Sequence, residues 1–137
     1  MSRFPAIIEQ IHTRSAPPPG GHYAQAVASG ELVFISGQLG GRPDGTPTHG
    51  LSFPEQAAQA ISNLLAVVEK SGSGPGRILK VTAYIVGIEN WPVFDRIYAE
   101  MFGENRAARS VVPVPMLHYG YLIEIEAVAL RTVPTIP

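Results

Sequence analysis

Apolar positions along the chain fall into two periods. Leu32 to Leu39 opens on the run Leu32-Val33-Phe34-Ile35, whose β-branched and aromatic side chains suit a pleated strand. His22 to Val27 alternates and reads as a second strand, and Ile78 to Ile88, Arg109 to Val114 and Tyr121 to Leu130 read as three more. Between them the period lengthens. Ile61, Leu64, Leu65 and Val68 recur at helical spacing, as do Phe94, Ile97, Tyr98 and Met101. Ser52-Phe53-Pro54-Glu55 is a capping box with proline in the first turn, and Gly72 supplies the stop. Asn90-Trp91-Pro92 opens the second helix and Gly103 ends it. Ser29-Gly30, the stretch 40–47 and Ser71 to Gly76 are turns by composition, and Ala16-Pro17-Pro18-Pro19-Gly20-Gly21 is an extended or turning segment.

The order is ββαβαββ in one domain spanning 1–137, with 1–20 as a flexible N-terminal arm. This predicts an α+β protein, a two-layer α/β sandwich in which two helices cover one face of a mixed sheet. The other face also carries apolar residues, so burying it calls for a second subunit. Composition points the same way: 45% of residues are hydrophobic and only 15% charged, which for a small domain suggests surface covered by self-association.

The net charge is -1 with no cluster of Lys and Arg, which disfavours nucleic-acid binding through phosphate contacts. There are no cysteines, so disulfides, thiolate nucleophiles and cysteine-ligated metal sites are excluded. His12 and His49 lie in loops without metal-ligand spacing, and no metal site is predicted. Met1 to Gln10 does not read as a signal peptide, and no segment reaches the roughly 20 apolar residues of a membrane span. The expectation is a soluble, cytoplasmic protein.

Ala108-Arg109-Ser110 and Ile123-Glu124-Ile125-Glu126 set one fixed cation and two carboxylates in otherwise apolar strands. If the two strands form a hairpin turning within 115–120, Arg109 faces Glu126, or Glu124 after a shift of two residues. That arrangement reads equally as a cross-strand ion pair or as a small-anion site with an acid/base beside it. Tyr23 follows the glycine-rich arm and can present its hydroxyl at a pocket rim, Gly37 can bring a ligand close to backbone, and His118 can act as a loop acid/base. Each also has an ordinary structural reading: an amphipathic aromatic, a strand bulge and a solvated turn residue.

Taken together, these segments resemble the reactive-intermediate deaminase (Rid, or YjgF) family. The likeness is carried in order by Gly21-His22-Tyr23-Ala24-Gln25-Ala26-Val27, Leu32-Val33-Phe34-Ile35-Ser36-Gly37-Gln38-Leu39, Glu55-Gln56-Ala57 through Val67, Val81-Thr82 through Gly103, and the Arg109 and Glu124 strands, spanning Ile8 to Leu130. The resemblance implies a chorismate-mutase-like fold, a homotrimer with sites between subunits, and a cofactor-free reaction: hydrolysis of 2-imino or enamine acids to 2-keto acids and ammonia. In that reading Arg109 binds the substrate carboxylate and Glu124 activates water. Tyr23, Ser36, Gly37 and a backbone group near Glu89 line the substrate. The sequence departs from the family pattern at His22, Gly40, Val111 and His118, with His22 and His118 as imidazoles on the substrate rim, which suggests a larger or aromatic substrate. The alternatives are a trimer that binds small acids without turnover, or an enzyme dedicated to another unstable carboxylate. An RNA-cleaving role is also attached to the family by name, and the charge balance argues against it.

Overall fold

A computed structural model describes residues 7–133. Eight principal elements follow in order: β1 (Glu9–Ile11), β2 (Ala26–Ser29), β3 (Leu32–Leu39), α1 (Phe53–Lys70), β4 (Ile78–Val86), α2 (Trp91–Phe102), β5 (Ala108–Val114) and β6 (Ile123–Leu130). Helix α1 starts where its capping box predicts. Ser52 accepts from the Glu55 backbone N–H, and the Glu55 carboxylate accepts from the Ser52 backbone N–H. Its buried stripe runs through Ala57, Ile61, Leu64 and Val68, and that of α2 through Phe94, Ile97, Tyr98 and Phe102. Phe102, not Met101, closes the second stripe. Gly72 and Gly103 follow the two helices with positive φ, a conformation that costs a residue without Cβ little.

The strands form one six-stranded sheet in the order β1-β2-β3-β6-β4-β5. Only β4 and β5 run parallel, as a strand–helix–strand crossover through α2 requires. Both helices lie on one face, over Val33, Ile35, Val81, Ala83, Ile85, Ile123, Ile125 and Ala129, all buried. The opposite face is open, and Phe34 (52% exposed), Leu32 and Val112 stand on it.

Two features differ from the sequence expectation. The proline-rich arm is fastened rather than loose over residues 9–17. β1 pairs with β2, and the buried Gln25 side chain accepts from the Thr13 N–H and donates to the Thr13 and Pro17 carbonyls. The expected hairpin between the Arg109 and Glu124 strands does not form. Strand β4 lies between them, pairing with β5 on one side and β6 on the other. Pro113 gives the physical reason: a hairpin would make β5 an interior strand, where proline cannot complete the ladder, whereas at the edge it is tolerated. The segment between Val114 and Ile123 instead steps over β4, a distance of about two strand spacings, or roughly 9.6 Å.

This topology sets which side chains share a face. Val81 is level with both Arg109 and Ala127, while Thr82 is level with Ser110 and Glu126, and Tyr84 with Glu124. Arg109 therefore points to the helix side, and Glu124 and Glu126 to the open side. Among the described residues, no helix is long and apolar enough to cross a membrane.

Candidate active site

A cavity of about 710 Å³ opens where the ends of β3 and β6 meet the arm and two loops. Its floor is made by a β-bulge: the β3–β6 register shifts between Ile35 and Gln38, leaving Ser36 and Gly37 unpaired. The Ser36 hydroxyl donates to the Ala24 carbonyl at 2.7 Å and its N–H to the Gln25 carbonyl at 2.9 Å, which fixes the bulge against the strand preceding it. Gly37 lies directly under Glu124. A Cβ there would come within 2.7 Å of the Glu124 Oε1, so a side chain at 37 would displace the carboxylate.

Glu124 is the acid of this cavity. Burial pushes its carboxyl above the ordinary carboxylate value, His118 pulls it down and the neighbouring Glu126 adds to the rise. Glu126 is structural. The Tyr84 hydroxyl donates to it at 2.7 Å. Tyr23 lines the mouth, where its hydroxyl accepts from the Gly20 N–H at 3.1 Å. His118 and Tyr119 form the facing rim on a short 3₁₀ turn, with Tyr119 at φ 61°, a left-handed conformation uncommon for a residue with Cβ.

The segment between β3 and α1, of which composition marks 40–47 as no more than a loop, builds the remaining wall. Asn63, fully buried in α1, donates to the Leu39 carbonyl at 2.9 Å and the Gly41 carbonyl at 2.8 Å. The Thr48 N–H donates to the Tyr121 hydroxyl at 3.2 Å, and the Thr48 hydroxyl to the Gly40 carbonyl. Gly40, one of the departures noted above, passes so close to α1 that a Cβ would sit 2.6 Å from the Gln56 carbonyl oxygen. Backbone cannot yield as a flexible side chain does. Gly40→Ala is therefore expected to cost about 1–3 kcal/mol in a urea unfolding curve; an unchanged midpoint and slope would show that the loop is not pinned there. Arg42 and Tyr121, which sequence reading did not single out, join the cavity through this loop and the turn before β6. The clustered glycines of 40–45 mark a loop, but nothing in their spacing says which way Arg42 points.

Other expected residues are elsewhere. Arg109 is on the helix side, where its Nη2 donates to Asp95 Oδ1 at 2.9 Å and its guanidinium lies over the rings of Tyr98 (4.7 Å) and Phe94 (5.5 Å). Neither Glu124 nor Glu126 is its partner in the chain. Asp95 was not foreseen because its contact depends on α2 packing over β5. Glu89 is exposed in the turn between β4 and α2, and His22 is exposed and outside the cavity lining. Val111 packs at the margin of the core beneath α2. One chain thus keeps two groups of residues apart: Glu124, Gly37, Ser36, Tyr23 and His118 around the cavity, and Arg109 with Asp95 near the sheet's β5 edge. Among the described residues, no group of three His, Asp or Glu side chains is placed to hold a metal ion.

The sequence model of the family described as Endoribonuclease L-PSP matches residues 13–131. A RutC family protein of Pyrococcus horikoshii is 36% identical over 123 residues, covering 90% of this chain and 98% of its own. The chain belongs to the Rid (YjgF/RutC) family. As a Rid protein it shares its fold with solved structures of other members. The YjgF gene product of E. coli superposes with a TM-score of 0.83 at 33% identity, covering 90% of this chain and 99% of that one. TdcF of E. coli, solved with bound serine, gives 0.84 at 32% identity over the same shares. The mixed sheet with two helices on one face is the chorismate-mutase-like fold that the resemblance implies.

Proposed function

We propose that this Rid protein hydrolyses reactive 2-imino and enamine acids to 2-keto acids and ammonia, at sites shared between the subunits of a homotrimer. The observation that carries the proposal is the Glu124 carboxyl, half-buried on the wall of a cavity large enough for a substrate, above a glycine that leaves it room. The open, partly apolar face beside it supports the assembly, since packing that face against another copy removes Phe34 and Leu32 from water. Assembly also brings in the anchoring cation: Arg109 of the partner subunit completes the cavity that Glu124 begins.

The chemistry follows from the groups. Arg109 grips the substrate carboxylate through parallel hydrogen bonds, while Asp95 takes one of its five donors and steadies the fork. Held this way, the imine carbon faces a water beside Glu124. Glu124 takes a proton from the water as its oxygen bonds to the carbon, and passes that proton to the nitrogen. Glu124 then carries the carbinolamine's hydroxyl proton to its nitrogen, the C–N bond breaks as the C=O bond forms, ammonia leaves, and the 2-keto acid remains. No redox change occurs. The direct test is to generate an imino acid with an amino-acid oxidase and follow its disappearance; a rate no faster than in buffer would sink the proposal.

Because Glu124 works as a base only when ionised, kcat/KM should fall as pH is lowered through a midpoint above the ordinary carboxylate value of 4.5. His118→Ala removes the influence that lowers the Glu124 pKa, so the midpoint should move to still higher pH. A pH–rate profile whose acid limb lies at or below 4.5, or moves down in the variant, would contradict this assignment.

One observation favours a second reading, an acid-binding protein without turnover: the TdcF structure is of a complex with serine. It predicts thermal stabilisation by small acids with no loss of imine.

A further inference from the structure

In the single chain, before a partner subunit covers its mouth, the cavity is larger than the reaction needs. At about 710 Å³ it falls within the roughly 300–1,000 Å³ of pockets that hold drug-sized ligands, and a three- or four-carbon acid would leave most of it empty. Beyond Glu124, the walls are mainly apolar, formed by Pro17, Pro18, Pro47 and the rings of Tyr119 and Tyr121, and one guanidinium, that of Arg42, stands among them.

Arg42 is built into this wall by its backbone. Its N–H donates to the Thr46 carbonyl at 3.2 Å and its carbonyl accepts from Gly45 at 2.9 Å, closing a tight turn. Asn63 and Tyr121 fasten the loop on either side of that turn. The side chain, in contrast, has no ion-pair partner among the described residues. Asp44, the carboxylate of the same loop, is instead turned to the Thr46 N–H at 2.9 Å. A guanidinium at the edge of an apolar chamber, near the Asp44 carboxylate but without an ion-pair contact, is suited to an anion at the end of an apolar stem.

We propose that Arg42 selects substrates whose side chain ends in a second carboxylate, so that the preferred substrates are 2-imino diacids. The inference rests on the deaminase reading and narrows its substrate class. Arg109 would hold the carboxylate next to the reacting carbon, and Arg42 the carboxylate at the tail. A single guanidinium matches one carboxylate, whereas a phosphate dianion asks for more donors than this wall offers.

The test compares two six-carbon product acids, 2-oxoadipate and 2-oxohexanoate, which differ in having a carboxylate or a methyl at the tail. Isothermal titration of the intact protein should show the diacid binding at least about tenfold more tightly, the effect of one charge-assisted contact. In Arg42→Gln the two acids should bind alike, and Arg42→Lys should keep part of the preference. Arg42 is exposed and its side chain bonds no neighbour, so the variants should keep the parent unfolding temperature. Equal binding to the intact protein, or a preference that survives Arg42→Gln, overturns the inference. Its failure is separable from that of the deaminase reading. Hydrolysis of small imino acids without a diacid preference removes only Arg42's role, and an Arg42-dependent preference without hydrolysis leaves the anion subsite and removes the reaction.

Discussion

Replacing Arg109 with alanine is expected to lower kcat/KM for imino-acid hydrolysis by about 10²-fold or more, because the reacting carbon loses the anchor that holds it against the water. The same change should cost the fold no more than about 2 kcal/mol. The Asp95 pair is partly exposed and is worth about 0–1 kcal/mol, and the guanidinium over Tyr98 and Phe94 adds a contact of about 0.5–1 kcal/mol. A structural arginine would show the reverse, a lowered unfolding temperature with the rate per folded molecule preserved. Arg109→Lys keeps the charge and loses the planar fork, so it should recover little of the rate. An Arg109→Ala protein that hydrolyses imino acids as fast as the parent contradicts the role.

Glu124→Gln carries the second large effect, an expected loss of about 10²–10⁴-fold in kcat, the range typical of a positioned general base. The substitution preserves shape, so the amide should fit over Gly37 as the carboxylate does. Binding of 2-keto acids should persist, because Arg109 and the cavity walls are untouched. A parallel loss of binding and rate would make Glu124 a substrate-holding group instead of a base. Glu126→Gln is the control: that carboxylate is engaged by Tyr84. Its loss should act on stability and leave kcat near the parent value.

The elements were legible where one period dominated. Both helices announce their starts and stops through Ser52, Glu55, Gly72 and Gly103, and the strands through runs such as Leu32 to Ile35. What local pattern could not supply was the order of strands. Residues 108–114 and 123–130 look like a hairpin because they are close in sequence, and only Pro113 hints that the first is an edge strand. That one inversion of order moves Arg109 to the helix side and away from both glutamates. The cavity was legible in part. Tyr23, Gly37 and Glu124 are drawn together by the family pattern, with His118 standing on the rim as a departure from it, but the wall bearing Arg42 depends on a buried asparagine reaching from α1 to a loop more than twenty residues away, a contact with no local signature.

Because Arg109 and Glu124 lie apart within the chain, the sharing of sites between subunits can be tested by complementation. Arg109→Ala and Glu124→Gln proteins, each inactive alone, are mixed under conditions that exchange subunits, and mixed assemblies are isolated by successive purification on a different tag carried by each variant. If sites are shared between neighbouring copies of a trimer, each mixed trimer has one site of its three that joins an intact Arg109 from one subunit to an intact Glu124 from the next, so the isolated mixed assemblies should regain about a third of the parent activity in imino-acid hydrolysis. Mixed assemblies that remain as inactive as either variant would show that the two residues do not act across an interface.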